Sequence, residues 1–354
     1  MFRFELLIKI LYIGSVVNMS KDKKSKILLA VVILALGVGL GFIIGINSSF
    51  NQKNNLMHNL RLEGYNHTRP LLACETETAI TSEKTDILKK NIEEYISSEK
   101  SKGNIGTASV YMRNYQDGSS ININGEEEYY PASLNKIPVM IATLQMARTD
   151  KNFLDKKIVY KDTTNYNKGI EVQPEKFLKS GETYSIAEAI EYMIKYSDNN
   201  AFIFLTQNVD INLYKKIFSD LKIPYSADTN NHEDYITVKD FSYSLRVLFN
   251  ATYLNKELSE KALEILSKIN YKDGLIAGLP NDIQVSHKFG ITSTNKGGVS
   301  KKELHDCGIV YTDTPYLICV MTKDSNNIQN PQNLIKNISA MVYNQLNYYN
   351  KEPD

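Results

Sequence analysis

The chain reads as an α+β protein. It predicts a five-stranded antiparallel sheet flanked by N- and C-terminal helices, an inserted all-helical subdomain, and an N-terminal transmembrane helix ahead of them. Three observations carry this. Strand-like runs come in two groups, a pair before residue 130 and a trio after residue 280. A long helical stretch separates the groups, and helix-period segments stand at both ends of the folded part. An uncharged apolar run, residues 27–46, precedes them all.

That run, I-L-L-A-V-V-I-L-A-L-G-V-G-L-G-F-I-I-G-I, has the length a bilayer requires. Lys21, Lys23, Lys24 and Lys26 come just before it. The bias of basic residues toward the cytoplasm predicts a single-pass cell-membrane protein with its domain outside. No A-x-A-like cleavage site follows, so the anchor is expected to be retained. Residues 1–26 form the cytoplasmic leader, with Met19, which opens M-S-K-D-K-K-S-K, as the expected true start. Residues 47–70 are Asn-rich and polar, the composition of a linker, which leaves 71–354 as the folded domain.

Within the domain, Ile87, Leu88, Ile92, Tyr95 and Ile96 share one helical face. The runs G-T-A-S-V-Y-M-R-N-Y and S-S-I-N-I-N-G follow, joined by the turn Gln116-Asp117-Gly118. The helical part spans 133–265, broken by loops near 161–183 and 223–236. Strands are expected at 283–290, 305–312 and 316–323, so the sheet is built from 84–130 and 281–354. A last helix opens with Asn330 as N-cap and Pro331 at its first position.

A formal net charge of +1 gives no basic field for nucleic acid. The five histidines, at 58, 67, 232, 287 and 305, are dispersed and form no H-E-x-x-H, so neither metal nor cofactor is called for. Three cysteines do not suggest a disulfide framework. Cys307 and Cys319 sit in apolar strand-like runs and read as small buried hydrophobes.

Three short motifs carry the chemistry. S-x-x-K recurs along the chain, among other places at Ser20/Lys23, Ser97/Lys100, Ser133/Lys136 and Ser219/Lys222. Only Ser133/Lys136 opens a helix ahead of S-D-N at 197–199 and of K-F-G at 288–290. A helix start favours developing negative charge on Ser133. Lys136, three residues on, shares its face. A free lysine, with a pKa of about 10.4, is a poor base at neutral pH. Burial and a second cation, Lys288, would favour its neutral form.

In this order the motifs resemble those of the penicillin-recognising serine enzymes, class A β-lactamases and penicillin-binding proteins. The resemblance runs from about residue 84 to the end. It includes Y-Y-P-A-S-L-N-K, S-I-A-E-A-I-E-Y-M-I-K-Y-S-D-N-N-A, and L-P-N-D-I-Q-V-S-H-K-F-G followed by H-D-C-G-I-V-Y-T. It implies a β-lactamase/transpeptidase-like fold with Ser133 as acylated nucleophile and Lys136 as its activator. Ser197 would pass a proton to the leaving nitrogen, held by Lys288, which would also attract the substrate carboxylate. Asn199 would hold the substrate amide, with Asp198 structural. Backbone N–H groups of Ser133 and Ile291, beside Gly290, would form the oxyanion hole. The implied partner is a β-lactam or a peptidoglycan stem peptide, bound by a monomer.

Two departures stand out. Phe289 replaces the family's hydroxyl residue, for which Thr292 or Ser293 would have to substitute. The E-x-x-L-N motif that supplies the deacylating glutamate in class A enzymes is missing after S-D-N. Glu233, in N-H-E-D-Y, is the candidate for that role. Without such a base, acylation with weak deacylation is expected. The alternatives are a D,D-peptidase or penicillin-binding protein, or a non-catalytic peptidoglycan-binding relative.

Overall fold

A computed structural model describes Gly37 and residues 61–71, 83–224, 235–296 and 298–348. The chain divides into two compact units, Met1–His58 and Asn59–Asp354, and the second carries the sheet. The expected leader, the apolar run 27–46 apart from Gly37, and Glu233 lie outside the described residues. Among the described residues no helix is long and apolar enough to cross a membrane.

The expected sheet is present. Strands β1 (Thr107–Asn114), β2 (Ser120–Ile123), β7 (Gln284–Lys296), β8 (Val299–Tyr311) and β9 (Tyr316–Lys323) pair in the order β2-β1-β9-β8-β7. Every pairing is antiparallel. The β1–β2 turn is where Asp117 and Gly118 predicted it, with Gly118 at φ 75°. In β9 successive residues are buried on both faces, so the sheet needs a layer on each side. The terminal helices α1 (Glu83–Ser101) and α8 (Gln329–Tyr348) pack on each other and on the sheet. On its other side lies the insertion, whose α6 (Val238–Phe249) packs on β1, β8 and β9.

The insertion also holds α2 (Lys136–Met146), α3 (Ile186–Lys195), α4 (Asn199–Asn208), α5 (Ile211–Asp220) and α7 (Lys256–Leu266). Its helix starts are set locally. Ser185 and Glu188 form a capping box on α3, and Asp198, Asp210, Thr237 and Asn255 cap α4, α5, α6 and α7. Helix α2 is buried from Lys136 to Leu144, as expected of a helix apolar on all sides. It is the axle of the insertion, and Lys136 sits at its head.

Four expectations are corrected. The insertion is not all-helical: β3 (Glu128–Tyr129) pairs with β6 (Ile236–Thr237), and β4 (Lys157–Val159) with β5 (Thr183–Ser185). Runs of two or three residues are too short to show a period. Strands β7 and β8 reach past Gly290 to a hairpin at Gly298, because T-S-T-N-K and S-K-K-E pair as a polar ladder without apolar alternation. The last helix begins at Gln329, and the Asn327 carboxamide, not that of Asn330, accepts the N–H of Asn330. Cys307 and Cys319 are not free hydrophobes. The β8–β9 register sets them directly opposite one another, joined as a disulfide.

Candidate active site

Pro131 leads into a 3₁₀ turn, Ala132–Asn135, that runs directly into α2. In such a turn residues i and i+3 eclipse, which stacks Lys136 on Ser133 more closely than an α-helix would. Lys136 Nζ lies 2.9 Å from Ser133 Oγ. It also donates to the Ser197 carbonyl at 2.7 Å, Ser197 Oγ at 3.1 Å and Asn199 Oδ1 at 2.7 Å. From the opposite wall Lys288 Nζ donates to Ser197 Oγ at 3.0 Å and to the Phe289 carbonyl at 2.8 Å. Two amines therefore converge on one hydroxyl. Burial drives the Lys136 pKa down to about 7, with Asp198 pulling the other way. Lys288 is held well below the usual lysine range by burial and then by Lys136, with Asp306 opposing.

The backbone around the two serines is strained. Ala132, just before Ser133, has φ 50°, and Ser197 itself has φ 56°. Each such residue costs on the order of 1–3 kcal/mol, so the surroundings must enforce it. For Ser197 the enforcement is visible. Asp198 accepts from Asn200 N, Ala201 N, Leu178 N and the Asn167 side chain. Asn167 Oδ1 takes the N–H of Asn199, and the Tyr166 carbonyl takes the Asn199 carboxamide. The loop before α3 is thus latched to S-D-N. Asp198 has the structural place expected of it.

Strand β7 closes the third side. It is the edge strand, and Gly290 lets it approach the nucleophile turn. A Cβ on Gly290 would lie 2.9 Å from the Pro131 carbonyl and 3.3 Å from Ser133 N. His287 points away from the cleft, as strand alternation requires, and bonds Asp306 at 2.8 Å. His305, across from Gly290, is buried, has its pKa lowered to about 4, and donates from Nε2 to the Tyr130 carbonyl at 2.9 Å. It steadies the approach to Ser133.

Ser133, Lys136, Ser197, Asn199, Ile291 and Thr292 all line one cleft of about 360 Å³. Lys288 and Gly290 stand immediately behind it. Sequence reasoning missed Tyr130, Tyr166, Glu171 and Phe202 as lining residues, and Asn167 as the latch. Tyr130 and Phe202 had a signal in their closeness to Ser133 and to S-D-N; the others lie in a loop with no motif. A nucleophile, a base depressed toward neutrality and a proton-carrying hydroxyl within hydrogen-bond reach make an arrangement suited to acyl transfer.

The model of a family described as "Beta-lactamase enzyme family" matches residues 87–346. No curated protein sequence matches the chain significantly. Among solved structures it is similar to PBP-A, at 21% identity and TM-score 0.63, over 78% of this chain and 100% of that one. It is also similar to the TLA-3 extended-spectrum β-lactamase, at 22% identity and TM-score 0.65, over 74% and 99%. A class A β-lactamase from Mycobacterium abscessus matches at 17% identity and TM-score 0.60, over 72% and 99%. At such identities the likeness is one of fold.

Proposed function

The chain belongs to the β-lactamase enzyme family, and from that membership we propose that it is a serine hydrolase acylated at Ser133 by β-lactams or D-Ala-D-Ala-like peptides. One observation carries this reading: the unbroken hydrogen-bond path Ser133–Lys136–Ser197–Lys288, at 2.9, 3.1 and 3.0 Å. Lys136, neutral near pH 7, takes the Ser133 proton as Oγ attacks the carbonyl carbon. The C–N bond breaks, Ser197 gives its proton to the leaving nitrogen, and Lys136 restores it. The proton lost by Ser133 thus ends on the leaving group. Backbone N–H groups of Ser133 and Ile291 hold the oxyanion, Asn199 the amide carbonyl of the acyl side, and Gly290 the closeness of strand to nucleophile. A variant of PBP-A has been obtained as an acyl-enzyme with penicillin G, a precedent within the fold.

Release of the acyl group is the slow step in this reading, and Glu233 is its candidate base. Among the described residues lining the cleft the sole carboxylate is Glu171, which is paired with Lys302. That observation favours a second reading, a D,D-peptidase or penicillin-binding protein that acts on peptidoglycan; a non-catalytic relative is the third. The apolar run 27–46 and the lysines before it support membrane anchoring with this domain outside the cell, testable by fractionation and surface proteolysis.

Intact-mass analysis with a labelled penicillin tests the proposal. One adduct on the wild type and none on Ser133→Ala is expected; no adduct on folded wild type removes it. A chromogenic cephalosporin then separates the readings. Sustained turnover that falls in Glu233→Gln marks a β-lactamase, and a one-equivalent burst marks a penicillin-binding protein.

A further inference from the structure

The cleft lies between two walls drawn from distant parts of the chain. Ile170, Glu171 and Val172, in the loop before α3, line one, and Phe289 and Ile291, on β7, line the other. An ion pair joins the loop to the β7–β8 hairpin: Lys302 Nζ lies 2.5 Å from Glu171 Oε2, across 131 positions of sequence. Neither partner is loosely placed. Lys302 stands opposite Ser293 in the β7–β8 register and donates to its hydroxyl at 3.1 Å. Two backbone bonds with Ser325, at 2.7 and 3.0 Å, pin Lys302 on its other side. On the loop, Tyr166 and Asn167 are tied to S-D-N, and Glu175 accepts from Asn270 at 2.5 Å. Glu171 is thus the crown of an arch whose two feet are held.

The place of this pair along the cleft follows from the reacting groups. Ser197 and Lys288 serve the leaving nitrogen. Ser293 lies five residues farther along β7, roughly 16 Å at the rise of a strand, and past Ile291, whose N–H faces the carbonyl oxygen. On the loop side, the Tyr166 carbonyl binds the carboxamide of Asn199, the residue that holds the acyl amide. Both ends of the ion pair therefore stand on the acyl side. Resting on the reading of Ser133 as the acylated nucleophile, we infer that Glu171 and Lys302 form a clasp over the acyl end of the cleft and select compact acyl groups. A small acyl side chain meets the apolar wall of Ile170 and Val172 with the clasp shut. A bulky one must break the ion pair to enter. The Lys302 and Glu171 side chains are 21% and 35% exposed, so the clasp opens at modest cost and its penalty is a few-fold. Both are specificity residues, outside the proton path.

Two penicillins with the same nucleus and carboxylate test this. One is 6-acetamidopenicillanic acid, whose acyl side chain is a methyl group; the other is nafcillin, whose acyl group is an ethoxynaphthoyl. Acylation of the full chain by each is followed by intact mass. The nafcillin-to-acetamido rate ratio is then compared between variants, so that ring reactivity cancels. Glu171→Gln and Lys302→Met should each raise this ratio about three- to fivefold. The acetamido rate of Lys302→Met should stay within about twofold of wild type, because Lys302 touches no reacting group. The double variant should show no more than either single one, and Glu171→Lys combined with Lys302→Glu should bring the ratio back toward wild type. Salt at about 1 M should raise the ratio in the wild type and leave it unchanged in Lys302→Met. A ratio unmoved in both single variants, or shifts that add in the double variant, overturns the clasp while Ser133 acylation stands. Acylation of folded wild type by neither compound instead removes the acylation reading, and the inference with it.

Discussion

Lys136 shows how one buried side chain acquires its chemistry. Removing an ammonium from water is costly, and at the head of a buried helix the cheaper state is the neutral amine. With the amine at about 7 in the folded protein and 10.5 as its ordinary value, the folded chain sheds this proton first as pH rises. Lys136 therefore adds stability as pH climbs between those values. The same titration governs reactivity, since only the neutral amine can take the Ser133 proton. Acylation by labelled penicillin is expected to rise with pH through about 7 and then level. Asp198 raises the Lys136 pKa, so Asp198→Asn, which keeps a capping oxygen, should move this limb to lower pH. Lys136→Gln should slow acylation by roughly 10²–10⁴-fold. A rate independent of pH between 5.5 and 9 would dismiss Lys136 as the base.

At the scale of elements, the site depends on how closely β7 approaches the Ala132–Asn135 turn. Gly290 has no side chain because there is no room for one. Gly290→Ala would drive its Cβ against the Pro131 carbonyl, which is backbone and cannot swing away. The expected cost is about 1–3 kcal/mol of stability. The larger effect should be an acylation rate at least a hundredfold lower, because the strand and nucleophile turn must separate. Thermal melting and intact mass measure the two; a full rate at reduced stability would make Gly290 a packing residue only. These elements also show what was legible in the sequence. The strand-like and amphipathic runs of the folded domain were read as the elements they form, and S-x-x-K, S-D-N, K-x-G as a set pointed to the family, because each sits at a signalled element start or end. The loop holding Tyr166, Asn167 and Glu171 has no period, and its meaning comes only from the S-D-N backbone it holds. The Cys307–Cys319 pair depended on register. Each strand was legible, but the pairing follows from Val310 opposite Tyr316, an offset fixed by the geometry of the turn.

For the whole second unit, the informative segment is 61–71, all but the last residue of which fell within the stretch 47–70 read as a polar linker. It lies against the domain instead. The Arg61 guanidinium faces the Tyr115–Phe249 stack at 5.0 and 5.3 Å and bonds Asn250 at 2.6 Å. The Glu260 carboxylate on α7 gathers the N–H groups of Asn66, His67 and Thr68 together with the Thr68 hydroxyl. Gln284 at the start of β7 bonds His67 from the other side. The strap thereby ties the β1–β2 turn, the end of α6, α7 and β7 into one body, so it couples the helical insertion to the sheet that carries Lys288. Polar composition hid this, because most of the contacts are made by backbone amides. Burial alone would raise the Glu260 carboxyl, yet the bonds from His67 and Thr68 hold it below the usual glutamate range. Its contribution is therefore present above the normal carboxylate pKa and is lost as pH falls through the lowered folded value. Glu260→Ala leaves several amides without an acceptor and is expected to cost about 2–3 kcal/mol. Limited proteolysis should then cut within 61–71 at neutral pH, where the wild type is cut only in acid. Penicillin acylation at neutral pH should stay within about twofold of wild type, because the strap touches neither Ser133 nor its partners. A variant as resistant to cleavage as the wild type would show that Arg61 and its aromatic seat hold the strap without Glu260.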